Sequence, residues 1–256
     1  MTRFRILRFA FPVLMALAGI QTASASLILE TFEQISGTGL GAVPTLVTFQ
    51  NNGTETGCFG SNGAGSALSG GTCTPGGDTK TGNSQAQLQP LSAAGITGAA
   101  NFGLIFNAVQ PAGGPLDVTN VTVAFYDPTR KNLLFESTGL FCQTTAGGPV
   151  VSAGSGCLLT SSGSGTGNSG FLVTLDANQQ ALAMAAGAFS STSNMVGVSA
   201  SAGGTGGESA GGGETIFLAN SGGSVASVPE PISLALTGAG LLGLFVIRRL
   251  PHLARS

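Results

Sequence analysis

Asn120-Val121-Thr122-Val123-Ala124-Phe125-Tyr126-Asp127 is the stretch that decides the fold class. Its larger apolar side chains fall at the odd positions Val121, Val123 and Phe125, the period of two that puts alternate residues on one face of a strand. These three are expected to face a core. Tyr126-Asp127-Pro128 ends the strand in a turn, and Leu133 to Ser137 reads as its hairpin partner. Working outward, similar runs stand between Gly, Ser, Asn and Pro clusters: Leu27–Phe32, Thr45–Gln50, Asn101–Ala108, Gly170–Leu175, Met195–Ala200 and Glu214–Leu218. Short strands punctuated in this way predict an all-β domain, an antiparallel β-sandwich with glycine-rich loops. One short helix interrupts the pattern. Asp176 is placed to cap it, Ala177 to Ala186 are mostly strong helix formers, and Gly187 ends it.

The glycine stretches Gly60–Gly77, Gly147–Gly170 and Gly203–Gly213 are expected to be loops. Structureless loops beyond about 12–15 residues are uncommon in compact domains, so something must restrain them. The cysteines are suited to this. Cys58 and Cys73 are fifteen residues apart, as are Cys142 and Cys157, and each pair encloses a glycine- and serine-rich stretch. Four cysteines allow three pairings; the sequence-local pairing, Cys58–Cys73 and Cys142–Cys157, is the expected one. A bridge closing a loop of this size contributes roughly 3 kcal/mol in the chain-entropy model. Zinc ligands are normally paired two to four residues apart and a catalytic cysteine usually wants a histidine, so metal or thiol chemistry is the weaker reading.

Composition narrows the function. Of 256 residues only 8% are charged, 42 are Gly, and there is no Trp, one Tyr and one His. Mean hydropathy is +0.37, too apolar for charge-driven disorder. The charge is also unevenly placed. Arg3, Arg5 and Arg8 precede the apolar run Phe9 to Ile20, and Ala23-Ser24-Ala25 follows it, the three parts of a secretory signal peptide cleaved before Ser26. At the other end, the uncharged segment Ile232 to Ile247 precedes Arg248 and Arg249, the pattern of a single transmembrane helix with its basic end in the cytoplasm. Between Ser26 and Val228 only Lys80, Arg130 and Lys131 stand against ten carboxylates, a net of −7. Nucleic acid is therefore excluded as a partner, because binding it needs a basic footprint. The single histidine, His252, lies in the basic tail, so the 26–227 domain has none.

Val228-Pro229-Glu230-Pro231 stands immediately before the C-terminal apolar segment. This motif, the hydrophobic helix, the Arg248-Arg249 pair and the chain end resemble the PEP-CTERM sorting signal of Gram-negative bacteria. The resemblance covers residues 228–256. It implies a transient anchor in the inner membrane, processing by an exosortase near Pro229 to Pro231, and delivery to the cell surface or beyond. Two prolines cannot complete a helical ladder, so the motif is expected to stay extended at the membrane face. The division is then 1–25 signal peptide, 26–227 ectodomain and 228–256 sorting signal. Thr48 to Glu55 and Gly213 to Leu218 also resemble the β-rich ectodomains found ahead of this tail, which implies no activity.

Catalytic signals are few. Gly165-Thr166-Gly167-Asn168-Ser169-Gly170 matches a dinucleotide fingerprint in letters only, because it leads into a strand where the fingerprint requires a helix. Glu30 with Glu33, and Asp117 with Asp127, are the carboxylate pairs that could run glycoside hydrolysis if they met across a cleft. No Asp-rich loop with calcium-ligand spacing supports a metal site. The sequence reading is accordingly a non-enzymatic exported protein without cofactor or metal, structural in role and associated with extracellular polysaccharide. The alternative is an adhesin-like module binding that polysaccharide or a partner protein.

Overall fold

A computed structural model describes residues 27–33, 43–61, 63–64, 77–82, 84–108, 115–142, 150–153, 156–159, 170–204, 209–210 and 212–222. All of them lie in one unit, Ala25–Ser227. The order is β1 (Leu27–Glu33), β2 (Thr45–Phe49), β3 (Asn52–Gly53), β4 (Glu55–Gly60), β5 (Gly63–Ala64), β6 (Gln89–Pro90), β7 (Phe102–Asn107), β8 (Leu116–Tyr126), β9 (Leu133–Thr138), β10 (Leu140–Cys142), β11 (Val150–Ala153), β12 (Gly156–Leu159), β13 (Gly170–Leu175), the helix α1 (Ala177–Ala185), β14 (Met195–Ala202), β15 (Ser209–Ala210) and β16 (Glu214–Asn220). Two 3-10 turns, Leu91–Ala94 and Ala99–Asn101, lead into β7. The described domain is all-β with one α-helix.

The strands form two large sheets and a two-stranded one, β15-β3. One large sheet runs β10-β1-β13-β7-β16-β2; the other runs β11-β12-β8-β14-β4-β5, with β9 added to β8 and β6 to β14. The long β8 serves two neighbours on one edge, β12 along Leu116–Val118 and β9 along Thr122–Tyr126, while β14 follows its other edge. Val121, Val123 and Phe125 face the interior as the alternation predicts, and Ala124 and Tyr126 join Leu88 and Met195 on the opposite face. The interior is one apolar cluster drawn from both sheets, with Leu27, Phe106 and Val173 from the first and Val123, Phe125 and Val198 from the second. The rings of Phe102 and Phe125 meet across it with centroids 5.0 Å apart. The six-stranded sheet is apolar on its other face as well, where Ile105, Leu172 and Phe217 are buried together. This explains the near-continuous apolar runs in β7 and β13.

Three departures from the sequence reading have local causes. The glycine stretches are not wholly loop: β5 lies in Gly60–Gly77 and β15 in Gly203–Gly213, while β11 and β12 form a hairpin, with β12 paired to β8, within Gly147–Gly170. Its Val-Val and Leu-Leu pairs supply strand-forming side chains that the surrounding glycines hide. The sheets are also not purely antiparallel, since β10 runs parallel to β1. Gly139 alone separates β9, in one sheet, from β10, in the other, and takes φ +104°, a conformation open to glycine. Finally, β4 carries no strand signal of its own, its Glu-Thr-Gly-Cys-Phe-Gly composition lacking alternation.

The helix follows the sequence reading closely. Asp176 Oδ1 accepts a hydrogen bond from Gln179 N at 2.8 Å, and Gln179 and Ala183 form the buried face. Among the described residues no helix is long and apolar enough to cross a membrane. The segment 232–247, together with Ala23, Ala25, Val228, Pro229, Glu230, Pro231, Arg248 and Arg249, lies outside the described residues.

Candidate functional site

Two chain segments cross between the sheets at the same edge of the domain. One is Gln50–Thr54, leaving β2 and entering β4; the other is Gly203–Gly213, leaving β14 and entering β16. The two meet where β3 in the first pairs antiparallel with β15 in the second. Each crossing is followed at once by a glutamate. Glu55 opens β4 and Glu214 opens β16, and both residues are 0% exposed.

Glu214 stands opposite Phe49 in the β16–β2 pairing, two residues before the Asn51 that Glu55 binds, so the two carboxyls meet as neighbours. Glu55 Oε2 also accepts from Asn51 N at 2.9 Å. Burial, then the hydrogen bond from Glu55, then its negative charge push the Glu214 carboxyl up to about 10. Two carboxylates cannot hydrogen-bond without a proton between them, so the pair holds at least one at neutral pH. The surrounding chain is tied down. Asp78 accepts from Asn51 Nδ2 at 2.9 Å and from Thr56 N at 2.8 Å, and Thr48 and Thr215 share a hydroxyl contact at 3.1 Å. Asp117 joins the second crossing through its backbone, its carbonyl accepting from Gly203 N at 2.7 Å. The Asp117 carboxyl is raised by burial.

Of the carboxylate pairs suggested by sequence, Asp117 with Asp127 does not form such a site. Asp117 and Asp127 stand at the two ends of β8, about 30 Å apart at the usual strand rise. Glu30 and Glu33 both lie in β1, whose register shifts between Leu29 and Phe32. Asp127 acts locally, its carboxylate accepting from Thr129 Oγ1 at 2.8 Å, Lys131 N at 3.1 Å and Asn132 Nδ2 at 2.6 Å. These bonds, led by that from Thr129, hold its carboxyl below the usual range and order the β8–β9 turn. Of the cysteines, Cys142 is bridged to Cys157, joining β10 in one sheet to β12 in the other. Cys58 is disulfide-bonded, and Cys73 lies outside the described residues.

Chemically, a sealed carboxyl pair can hold and release a proton but cannot receive a substrate without the domain opening. Among the described residues no three His, Cys, Asp or Glu side chains converge as a metal site. Sequence reasoning missed the Glu55–Glu214 pair, and the available signal was positional: both glutamates stand directly between a crossing loop and an apolar strand. Comparison with protein-family models, with curated proteins and with solved structures finds no match to this chain.

Proposed function

We propose that this is an exported, non-enzymatic surface or matrix protein whose 26–227 β-sandwich ectodomain is carried out by a signal peptide and sorted by an exosortase through a C-terminal transmembrane tail. The observation that carries this reading is the order Val228-Pro229-Glu230-Pro231, apolar segment, Arg248-Arg249. The β-rich domain with its Cys142–Cys157 bridge supports it, since such bridges persist in oxidising compartments. Fractionation of wild type and a Pro229/Glu230/Pro231→Ala variant tests the sorting claim. Wild type is expected shortened and at the cell surface or in the medium, and the variant retained in the membrane at precursor length. Retention of both at precursor length would overturn it.

A further inference from the structure

We propose that Glu55 and Glu214 share one proton as a clasp that holds the two crossings between the sheets closed, and that loss of this proton opens that edge of the domain. The proposal is independent of how the protein is exported. Its ground is placement. The two glutamates are the first residues after the two crossings, the β16–β2 register and the Asn51 bond bring their carboxyls together, and both are fully buried. A neutral acid donating to a carboxylate is a strong, short-range link. Two carboxylates in the same sealed place repel each other, and neither can be hydrated unless the backbone above them moves.

The backbone above them is the part of the edge least able to resist. It consists of β3 and β15, two residues each, paired Asn52↔Ala210 and Gly53↔Ser209. Gly203 stacks directly on the carbonyl of Gly53, with no side chain between the two crossings. Among the described residues, the ionisable groups on the packed elements are few. Strands β2 and β14 contribute none, β4 contributes only the disulfide-bonded Cys58, β8 contributes Asp117, and the segment 77–82 contributes Asp78 and Lys80. Asp78 is committed to Asn51 and Thr56. The Asp117 carboxyl is also raised by burial and adds a slope of the same sign, which is why the test rests on variants at the pair itself.

The sign is fixed by linkage. Closed, the pair binds a proton that the open, hydrated glutamates release above their ordinary range, so opening is favoured as pH rises. One proton released corresponds to an opening constant that grows up to tenfold per pH unit. Hydrogen exchange on the full-length chain, read by mass spectrometry between pH 6 and 9 and corrected for base-catalysed intrinsic exchange, measures this directly. Amides of residues 50–56, 203–204, 209–210 and 212–215 should lose protection with that slope, while β8, β9 and β13 keep theirs. Glu214→Gln replaces the shared proton by an amide donor and should flatten the slope at these segments. Glu55→Gln, with the donor on the other side, should do the same and serves if Glu214→Gln does not fold. A wild-type edge whose protection ignores pH, or a slope unchanged in whichever variant folds, would overturn the clasp. Failure of both variants to fold leaves the wild-type slope to decide.

Discussion

Gly57 carries no side chain because Phe49 already occupies the place where one would lie. A Cβ there would fall inside contact distance of the Phe49 ring, itself fully buried, so Gly57→Ala should cost about 1–3 kcal/mol and lower the melting temperature. Gly203 and Gly53 make a matched pair at the crossings, with φ of +84° and +83°. Alanine at Gly53 meets open space and should lose only about 1 kcal/mol of backbone preference. Alanine at Gly203 would also meet the Gly53 carbonyl and should cost distinctly more, a difference that denaturant titration of the two variants reads directly. The inward facing of Val121, Val123 and Phe125 is legible in the sequence, because alternation within one strand declares it. The need for glycine at 57 is not, since it depends on a ring from β2. The meeting of Glu55 with Glu214 is hidden for the same reason, as it depends on two crossings made far apart in the chain.

Helix α1 and the β8–β9 hairpin are readable as elements because each carries its own start and stop. Asp176 caps the one, and Asp127-Pro128 turns the other. Asp176→Ala should therefore lower stability by about 1 kcal/mol, seen in a thermal melt, with faster exchange confined to Ala177–Gln180. The β11–β12 hairpin lacks such signals. Its four-residue strands are stabilised by pairing with β8 and by the bridge to β10, both supplied from elsewhere in the chain. Replacing Cys142 and Cys157 together by Ser should cost about 2–4 kcal/mol, and amide exchange should then quicken first in β10 and β12.

Across the whole molecule, low charge and buried acid combine into an unusual pH response. Glu214 and Asp117 are both raised above their unfolded values, so the folded chain holds more protons than the unfolded one from mildly acid pH upward. Stability contributed by these groups is complete at low pH and is lost as pH rises toward about 10 for Glu214. The urea midpoint should be higher at pH 5 than at pH 8.5, and Glu214→Gln should narrow the gap. The fold class can be read from strand spacing, whereas this response cannot, because it arises only where two sheets meet. The described domain is fastened at two edges: Cys142–Cys157 joins β10 to β12, and Glu55–Glu214 joins β4 to β16. The first closure needs an oxidant, while the second takes its proton from water. Closure therefore acquires an order in time. The acid edge can shut as soon as the strands collapse, whereas the sulfur edge must wait for an oxidant. Folding under reducing conditions should accumulate a species shut along β4 and β16 and still loose along β10 and β12.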